Sequence, residues 1–263
     1  MAYLELHHLA KHFPARRGWL GGAAGVVKAV DDVSFSVERG EILGLVGESG
    51  CGKSTLSRLV MQLLRPTSGR VVLDGEDLAD LSGAEVRKRR LDFQMIFQDP
   101  HASLNPRLTI YSTLAEALRT RRPELKGGGL TAEIAGLMDR VGLDPRSMRK
   151  YPHEFSGGQR QRIAIARALA PAPKLVIADE PVSALDVSIQ SQILNLLGKL
   201  RDDLGLTMIF ISHDLAVVRY IADRVVVMKE GKIVESGDPE AIFERPEADY
   251  TRALIAAIPR IRV

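Results

Sequence analysis

Hydrophobic and polar residues alternate along this chain in two rhythms: short apolar runs, and stretches with apolar positions three and four apart. Residues 42–46, Ile-Leu-Gly-Leu-Val, form an apolar run that suits a buried parallel strand. Glycines break it, and residues 57–64 resume with helical spacing. Further apolar runs at 175–178, 206–211 and 225–228 predict strands, with shorter signals at 69–73 and 91–97. Residues 4–9 alternate loosely and predict an edge strand. Phe13-Pro14 and the Gly-rich piece 18–25 predict a loop, and 26–37 a further strand with Val33, Phe35 and Val37 on one face. Asp74-Gly75 marks a turn, and Lys229-Glu230-Gly231 joins two strands as a hairpin. From His101 to about Lys150 the rhythm becomes helical, at 110–119 and 131–141. Pro123 and the triplet Gly127-Gly128-Gly129, expected as a surface loop, separate the two. Residues 160–170 predict a long helix with Ile163, Ile165 and Leu169 as apolar positions, and 239–243 and 249–257 two short ones. The pattern is an α/β core with a mostly helical insert between its halves.

Length and charge narrow this only slightly. A chain of 263 residues, 45% hydrophobic and 26% charged, has the makeup of a globular protein with a substantial core in one large or two closely associated domains. A net charge of +3 gives no broad footprint for nucleic acid. The local basic clusters, Arg87 to Arg90, Arg119 with Arg121 and Arg122, and Arg146 with Arg149 and Lys150, are expected as solvated faces. No apolar run approaches the length of a membrane span, and the N-terminus shows no signal-peptide core. Cys51 is the lone cysteine, which excludes an internal disulfide and any multi-cysteine metal or iron–sulfur site in this chain. A cytosolic setting is expected.

The chemistry enters at the first strand–helix junction. Gly47, Gly52, Lys53 and Ser54 fit G-x-x-x-x-G-K-[ST], between a predicted strand and a predicted helix. Residues Gly47, Glu48, Ser49, Gly50, Cys51, Gly52, Lys53, Ser54 and Thr55 therefore predict a loop whose N–H groups converge on phosphate. Lys53 would reach the β/γ-phosphates and the Ser54 hydroxyl a Mg²⁺ ion. The strand at 175–178 delivers Asp179 and Glu180 at its C-terminal end, where open parallel sheets bind ligands. Asp179 fits the Mg²⁺-holding acid, and Glu180 a base for an attacking water. Another strand ends in Ser212-His213-Asp214, where His213 either hydrogen-bonds a γ-phosphate or caps the next helix. Ser156, followed by Gly157 and Gly158, is placed to cap a helix whose start is, in principle, a second anion site. An adenine ring could stack on Phe13 or Trp19.

Together these residues resemble the ATP-binding cassette ATPase family over essentially the whole chain. The motifs stand in family order: the phosphate loop at Gly47 to Thr55, a glutamine loop at Gln98, and a signature at Phe155 to Gln159, usually Leu-Ser-Gly-Gly-Gln. The acidic pair Asp179–Glu180, a D-loop at Ser183-Ala184-Leu185-Asp186 and a switch histidine at His213 follow. The resemblance implies a P-loop NTPase core. That core has a mixed or parallel sheet with flanking helices and an N-terminal antiparallel β part, and a helical subdomain inserted between glutamine loop and signature. One cassette would span residues 1–263, with the core at 1–98 and 151–240, the insert at 99–150 and a short extension at 241–263. It also implies ATP and Mg²⁺ as ligands, Gln98 meeting Mg²⁺ and the attacking water, and two cassettes paired head-to-tail. Ser156, Gly157, Gly158, Gln159 and Asp186 of one would then complete the ATP site of the other.

Within the family the chain is most similar to the importer subgroup for oligopeptides, dipeptides and nickel, through residues 94–100, 102–107, 181–188 and 250–254. The implied partners are a second cassette (another chain or a copy), two transmembrane permease subunits and, indirectly, an extracytoplasmic solute-binding protein. The implied location is the cytoplasmic face of the cell membrane, with residues 98–122 receiving the permease. The alternative is an accessory cassette ATPase of an enzyme complex such as carbon–phosphorus lyase. A DNA-maintenance ATPase would carry coiled coils or zinc cysteines between the motifs, and a GTPase an Asn-Lys-x-Asp motif; the chain has none of these.

Overall fold

The computed structural model describes residues 2–14 and 25–257, so the expectation for Trp19 lies outside the described residues. The strands are β1 (Ala2–Pro14), β2 (Val26–Glu38), β3 (Ile42–Val46), β4 (Ser68–Leu73), β5 (Glu76–Asp77), β6 (Phe93–Ile96), β7 (Leu175–Asp179), β8 (Thr207–Ser212), β9 (Arg224–Lys229) and β10 (Lys232–Gly237). The helices are α1 (Lys53–Val60), α2 (Gly83–Arg89), α3 (Pro100–Ser103), α4 (Ile110–Arg121), α5 (Gly127–Arg140), α6 (Gly157–Leu169), α7 (Val187–Leu204), α8 (Leu215–Ile221), α9 (Pro239–Glu244) and α10 (Asp249–Ala256). The chain divides into two compact units, residues 1–86 with 209–263, and residues 87–208.

In the first unit, β2-β1-β4-β5 make an antiparallel sheet, and β10, β9, β3 and β8 lie side by side in that order. β3 runs parallel to β9, which pairs antiparallel with β10. All five residues of β3 are buried, as its unbroken apolar run requires. Gly44 sits mid-strand because α8 packs directly on it: a Cβ there would lie 2.2 Å from Val218 Cγ1. β1 is not an edge strand. Leu4 pairs with Val37 on one side and Leu73 on the other. Its alternation looks loose because the register shifts between Leu6 and Leu9, around His8 with φ of 48°, so that Leu6 and Leu9 are both buried. Phe13 and Pro14 are also strand rather than loop, opposite Val27 and Val26. Proline is tolerated there because β4 pairs with β1 only as far as Ala10, so this end of β1 is paired on one side alone.

In the second unit, β6 and β7 pair in parallel from Phe93↔Leu175 to Ile96↔Ala178, and Thr207 N–H donates to Lys174 O at 2.9 Å. The glycine triplet is not a loop but the opening of α5. Each helical glycine costs about 1 kcal/mol against alanine. Here burial of Leu130, Ile134, Leu137 and Met138 on one face outweighs that cost, each such side chain contributing about 2 kcal/mol. α7, an 18-residue helix, has Ile193, Leu194, Leu197 and Leu200 buried and stops at Gly205 in the left-handed conformation, φ 62°.

Candidate functional site

The predicted residues fall on both units. In the first, β3 runs straight into the loop at Gly47, whose φ of 151° no L side chain adopts easily. A Cβ there would lie 2.2 Å from Met228 O and 2.8 Å from Cys51 Sγ. Gly52 has φ 113°, and its Cβ would meet Ala29 O at 2.1 Å. Both glycines of the motif are thus demanded by backbone conformation and by backbone packed against them. Gly52 is also the N-cap of α1 and brings no side-chain hydrogen bond, so the helix opens without a capping group. Lys53 is 5% exposed, yet its ammonium donates to Gly47 O at 2.6 Å and Glu48 O at 2.9 Å. An ammonium has three donors. The third meets nothing better than the Cys51 sulfur at 3.7 Å, a weak acceptor that a phosphate oxygen would displace. Glu48, Ser49, Gly50 and Ser54 are exposed, Gly52 and Thr55 half-buried and Cys51 buried.

His213 follows β8 and is exposed. The cap of α8 is Asp214, whose carboxylate accepts from Ala216 N–H at 2.8 Å, so the helix-capping reading of His213 is set aside. Phe13 is half-buried at the end of β1, with the Lys11 ammonium 5.2 Å from its ring centre. One residue the sequence did not flag also joins this unit's site. The Tyr250 hydroxyl of α10 accepts from Glu48 N–H at 3.1 Å, 202 residues away in the chain.

In the second unit, β7 ends at Asp179, and the next residue, Glu180, takes a left-handed φ of 48°. Both carboxylates are half-buried. Gln98, 82 residues earlier, donates its amide to Glu180 Oε2 at 3.2 Å and to Ser183 Oγ at 3.4 Å, and Ser183 Oγ–H donates to Glu180 O at 3.1 Å. The amide orientation leaves the Gln98 oxygen as the end available to a cation. Gln190, also unflagged, donates to Val182 O at 3.1 Å and Leu185 O at 3.0 Å, bracing the backbone that leads to Asp186. Asp186 is exposed at the N-cap of α7 and makes no side-chain cap. Ser156 caps α6 as expected, in a reciprocal pair: its hydroxyl accepts from Gln159 N–H at 3.3 Å and the Gln159 amide oxygen accepts from Ser156 N–H at 3.0 Å. Of the two glycines between them, Gly158 allows α6 to start against α7, whereas a side chain at Gly157 would make only ordinary contact. A Cβ on Gly158 would lie 2.6 Å from Ile189 Cγ2, and one on Gly157 3.7 Å from Leu185 Cδ2. Among the described residues no group of three or more His, Cys, Asp or Glu is arranged to hold a metal ion.

A parallel strand feeding a glycine loop closed on a buried lysine, with carboxylates at the exit of another strand, defines a nucleotide-binding α/β protein of the P-loop class. A family model described as ABC transporter matches residues 30–183. A probable peptide ABC transporter ATP-binding protein of Sinorhizobium fredii, y4tS, is 52% identical, with 98% of this chain and 73% of the relative covered. The oligopeptide transport ATP-binding proteins AppF of Bacillus subtilis and OppF of Salmonella typhimurium are 50% and 51% identical; 98% and 97% of this chain, and 79% and 77% of those relatives, are covered. Among solved structures, cbiO1 from Clostridium perfringens, part of the ABC transporter complex cbiONQ, matches with a TM-score of 0.80 at 30% identity, covering 99% of this chain and 97% of that one. The dimeric post-hydrolysis state of the ATP-binding cassette MJ0796, bound to ADP and phosphate, matches with a TM-score of 0.78 at 30% identity, over 90% and 98%. The chain belongs to the ATPase family of the ABC transporters.

Proposed function

We propose that this chain powers the uptake of peptides as the ATP-hydrolysing subunit of an importer. ATP binding and hydrolysis follow from the family; the peptide follows from relatives 50–52% identical over nearly the whole chain. The single observation that carries the ATP site is the buried Lys53 ammonium, held by two loop carbonyls with a donor to spare. The loop from Gly47 to Thr55 cradles the phosphates, through backbone N–H groups other than that of Glu48, and Phe13 stacks on the adenine. Glu180 accepts the proton of the attacking water. Its carboxylate is oriented for this by the Gln98 amide, which also positions the water. His213 hydrogen-bonds the γ-phosphate.

The groups that would hold Mg²⁺ are the hydroxyl of Ser54, the amide oxygen of Gln98 and the carboxylate of Asp179, each an oxygen donor of the kind a hard cation takes. When bound, Mg²⁺ supplies charge neutralisation at the phosphates. The N-terminus of α6, with Ser156, Gly157, Gly158 and Gln159, and the nearby Asp186 serve the ATP held by a second cassette in a head-to-tail pair. ATP then joins two cassettes, and hydrolysis releases them. Residues 98–122 receive two permease subunits, which meet a solute-binding protein on the far side of the membrane. No described helix is long and apolar enough to cross a membrane, so in this scheme the chain attaches to the cytoplasmic face through the permease.

The test is co-purification. Expressed with its neighbouring genes, the chain should come down with two hydrophobic permease subunits, and the reconstituted assembly should take up peptide in an ATP-dependent way. Recovery with the subunits of a soluble enzyme complex, and no permease, contradicts the proposal.

A further inference from the structure

The C-terminal helix α10 reaches back to the phosphate loop through one side chain, Tyr250. The start of α10 is anchored to β10: the Glu235 carboxylate accepts from Glu247 N–H at 2.8 Å and Ala248 N–H at 3.1 Å. Arg252 closes the same turn by donating to Pro246 O at 2.7 Å and Glu247 O at 2.8 Å, and Thr251 is fully buried. Tyr250 therefore projects from a fixed base. Its ring lies under the Lys229 ammonium, 4.9 Å from the ring centre, and its hydroxyl accepts from Glu48 N–H.

The target of that hydrogen bond matters more than its strength. Glu48 N–H and Gly47 C=O belong to one planar trans peptide and point in opposite directions. The carbonyl accepts from Lys53 at 2.6 Å while the N–H donates to Tyr250 at 3.1 Å. Rotating the plane to lose one bond loses the other. Gly47, lacking a Cβ, puts little resistance of its own in the way of that rotation. We infer that Tyr250 is a positioning residue of the nucleotide site. By holding the Gly47–Glu48 peptide it aims Gly47 O at the Lys53 ammonium, so that α10 pre-organises the phosphate loop before nucleotide arrives. The inference rests on the reading of this loop as the ATP site. Burial pushes the Tyr250 hydroxyl above its ordinary pKa, which keeps it a neutral phenol at physiological pH.

Tyr250→Phe is the discriminating variant. It keeps the ring, its packing and the Lys229 contact, and removes only the acceptor oxygen. The experiment titrates the full-length chain calorimetrically with a non-hydrolysable ATP analogue, AMP-PNP, and magnesium. Thermal unfolding and amide exchange at Glu48 are followed in parallel, and Lys53→Ala serves as reference. Tyr250→Phe should weaken binding about fivefold, the usual worth of one hydrogen bond. Its melting temperature should fall by no more than about 4 °C, the shift that one lost hydrogen bond brings in a domain of this size, and Glu48 N–H should exchange faster. Lys53→Ala should lose binding altogether. An unchanged affinity in Tyr250→Phe, or a loss that appears only together with a larger fall in melting temperature, overturns the positioning role. Lys53→Ala binding as wild type instead overturns the ATP-site reading itself.

Discussion

Ser156 separates a helix cap from a catalytic contact made across two cassettes. As a cap it takes part in two reciprocal hydrogen bonds with Gln159, at 3.3 and 3.0 Å, on an exposed helix start. Losing such a cap costs about 1 kcal/mol. For a domain of this size that lowers the melting temperature by roughly 2–4 °C. From a total stability of at least about 5 kcal/mol, the loss leaves over ~99% of the chain folded at 25 °C. If capping were its whole role, Ser156→Arg would leave ATPase activity nearly untouched. If the residue meets the γ-phosphate held by a partner cassette, the arginine's bulk blocks closure. Nucleotide binding to the isolated subunit then survives, because Gly47 to Thr55 are unaltered, while hydrolysis and uptake collapse. A mixed assembly of two different cassettes sharpens the assay. Lys53→Ala disables the site on this chain's own loop and Ser156→Arg the site on the partner's loop, so nucleotide trapping should fail at opposite sites. Loss at the same site, or normal turnover in Ser156→Arg, refutes the head-to-tail reasoning.

Two further outcomes are expected. Cys51 lies buried within the loop, its sulfur 3.7 Å from the Lys53 ammonium, so a maleimide adduct there should block nucleotide binding and bound ATP should hold the reagent off; an adduct that leaves ATP affinity unchanged contradicts the placement of the loop. Asp92 is paired by Arg121 and Arg89. Burial works to raise its carboxyl, but the hydrogen bonds and charges of those two guanidinium groups outweigh it and hold it below its ordinary value. A lowered folded-state pKa means stabilisation that is present above the unfolded value of about 3.9 and lost as pH falls through the folded one. Asp92→Asn should thus melt lower than wild type at pH 7, with the gap closing towards pH 3; a gap independent of pH contradicts the assignment.

The strand–loop–helix at residues 42–60 was legible in the sequence because the burial there is local. A strand buried on both faces reads as an unbroken apolar run, and backbone that must approach backbone reads as glycine. Ser156 and Asp179 were legible for the same reason, since a cap and a strand exit are set by adjacent residues. The errors came where distant contacts override local signals. The interior position of β1 depends on pairing with two remote strands, and the bulge at His8 scrambled its alternation. Burial of Leu130 to Met138 carried the glycine triplet into α5. α7 went unread although Ile193, Leu194, Leu197 and Leu200 stand at helical spacing before Gly205, a signal that was present in the chain. Ser183 stands in the sequence within the D-loop and Tyr250 within the segment 250–254, but their contacts with Gln98 and Glu48 had no local signal, because those partners lie 85 and 202 residues away.

Glu180→Gln tests the central claim most directly. Gln98 donates to the Glu180 carboxylate, and the glutamine amide fills the same space but cannot take a proton from water. Steady-state ATP hydrolysis and equilibrium ATP binding are measured on the same preparation of the variant. Hydrolysis should be abolished while binding persists, and ATP should accumulate the variant as a closed pair of cassettes. Turnover at the wild-type rate would contradict the account.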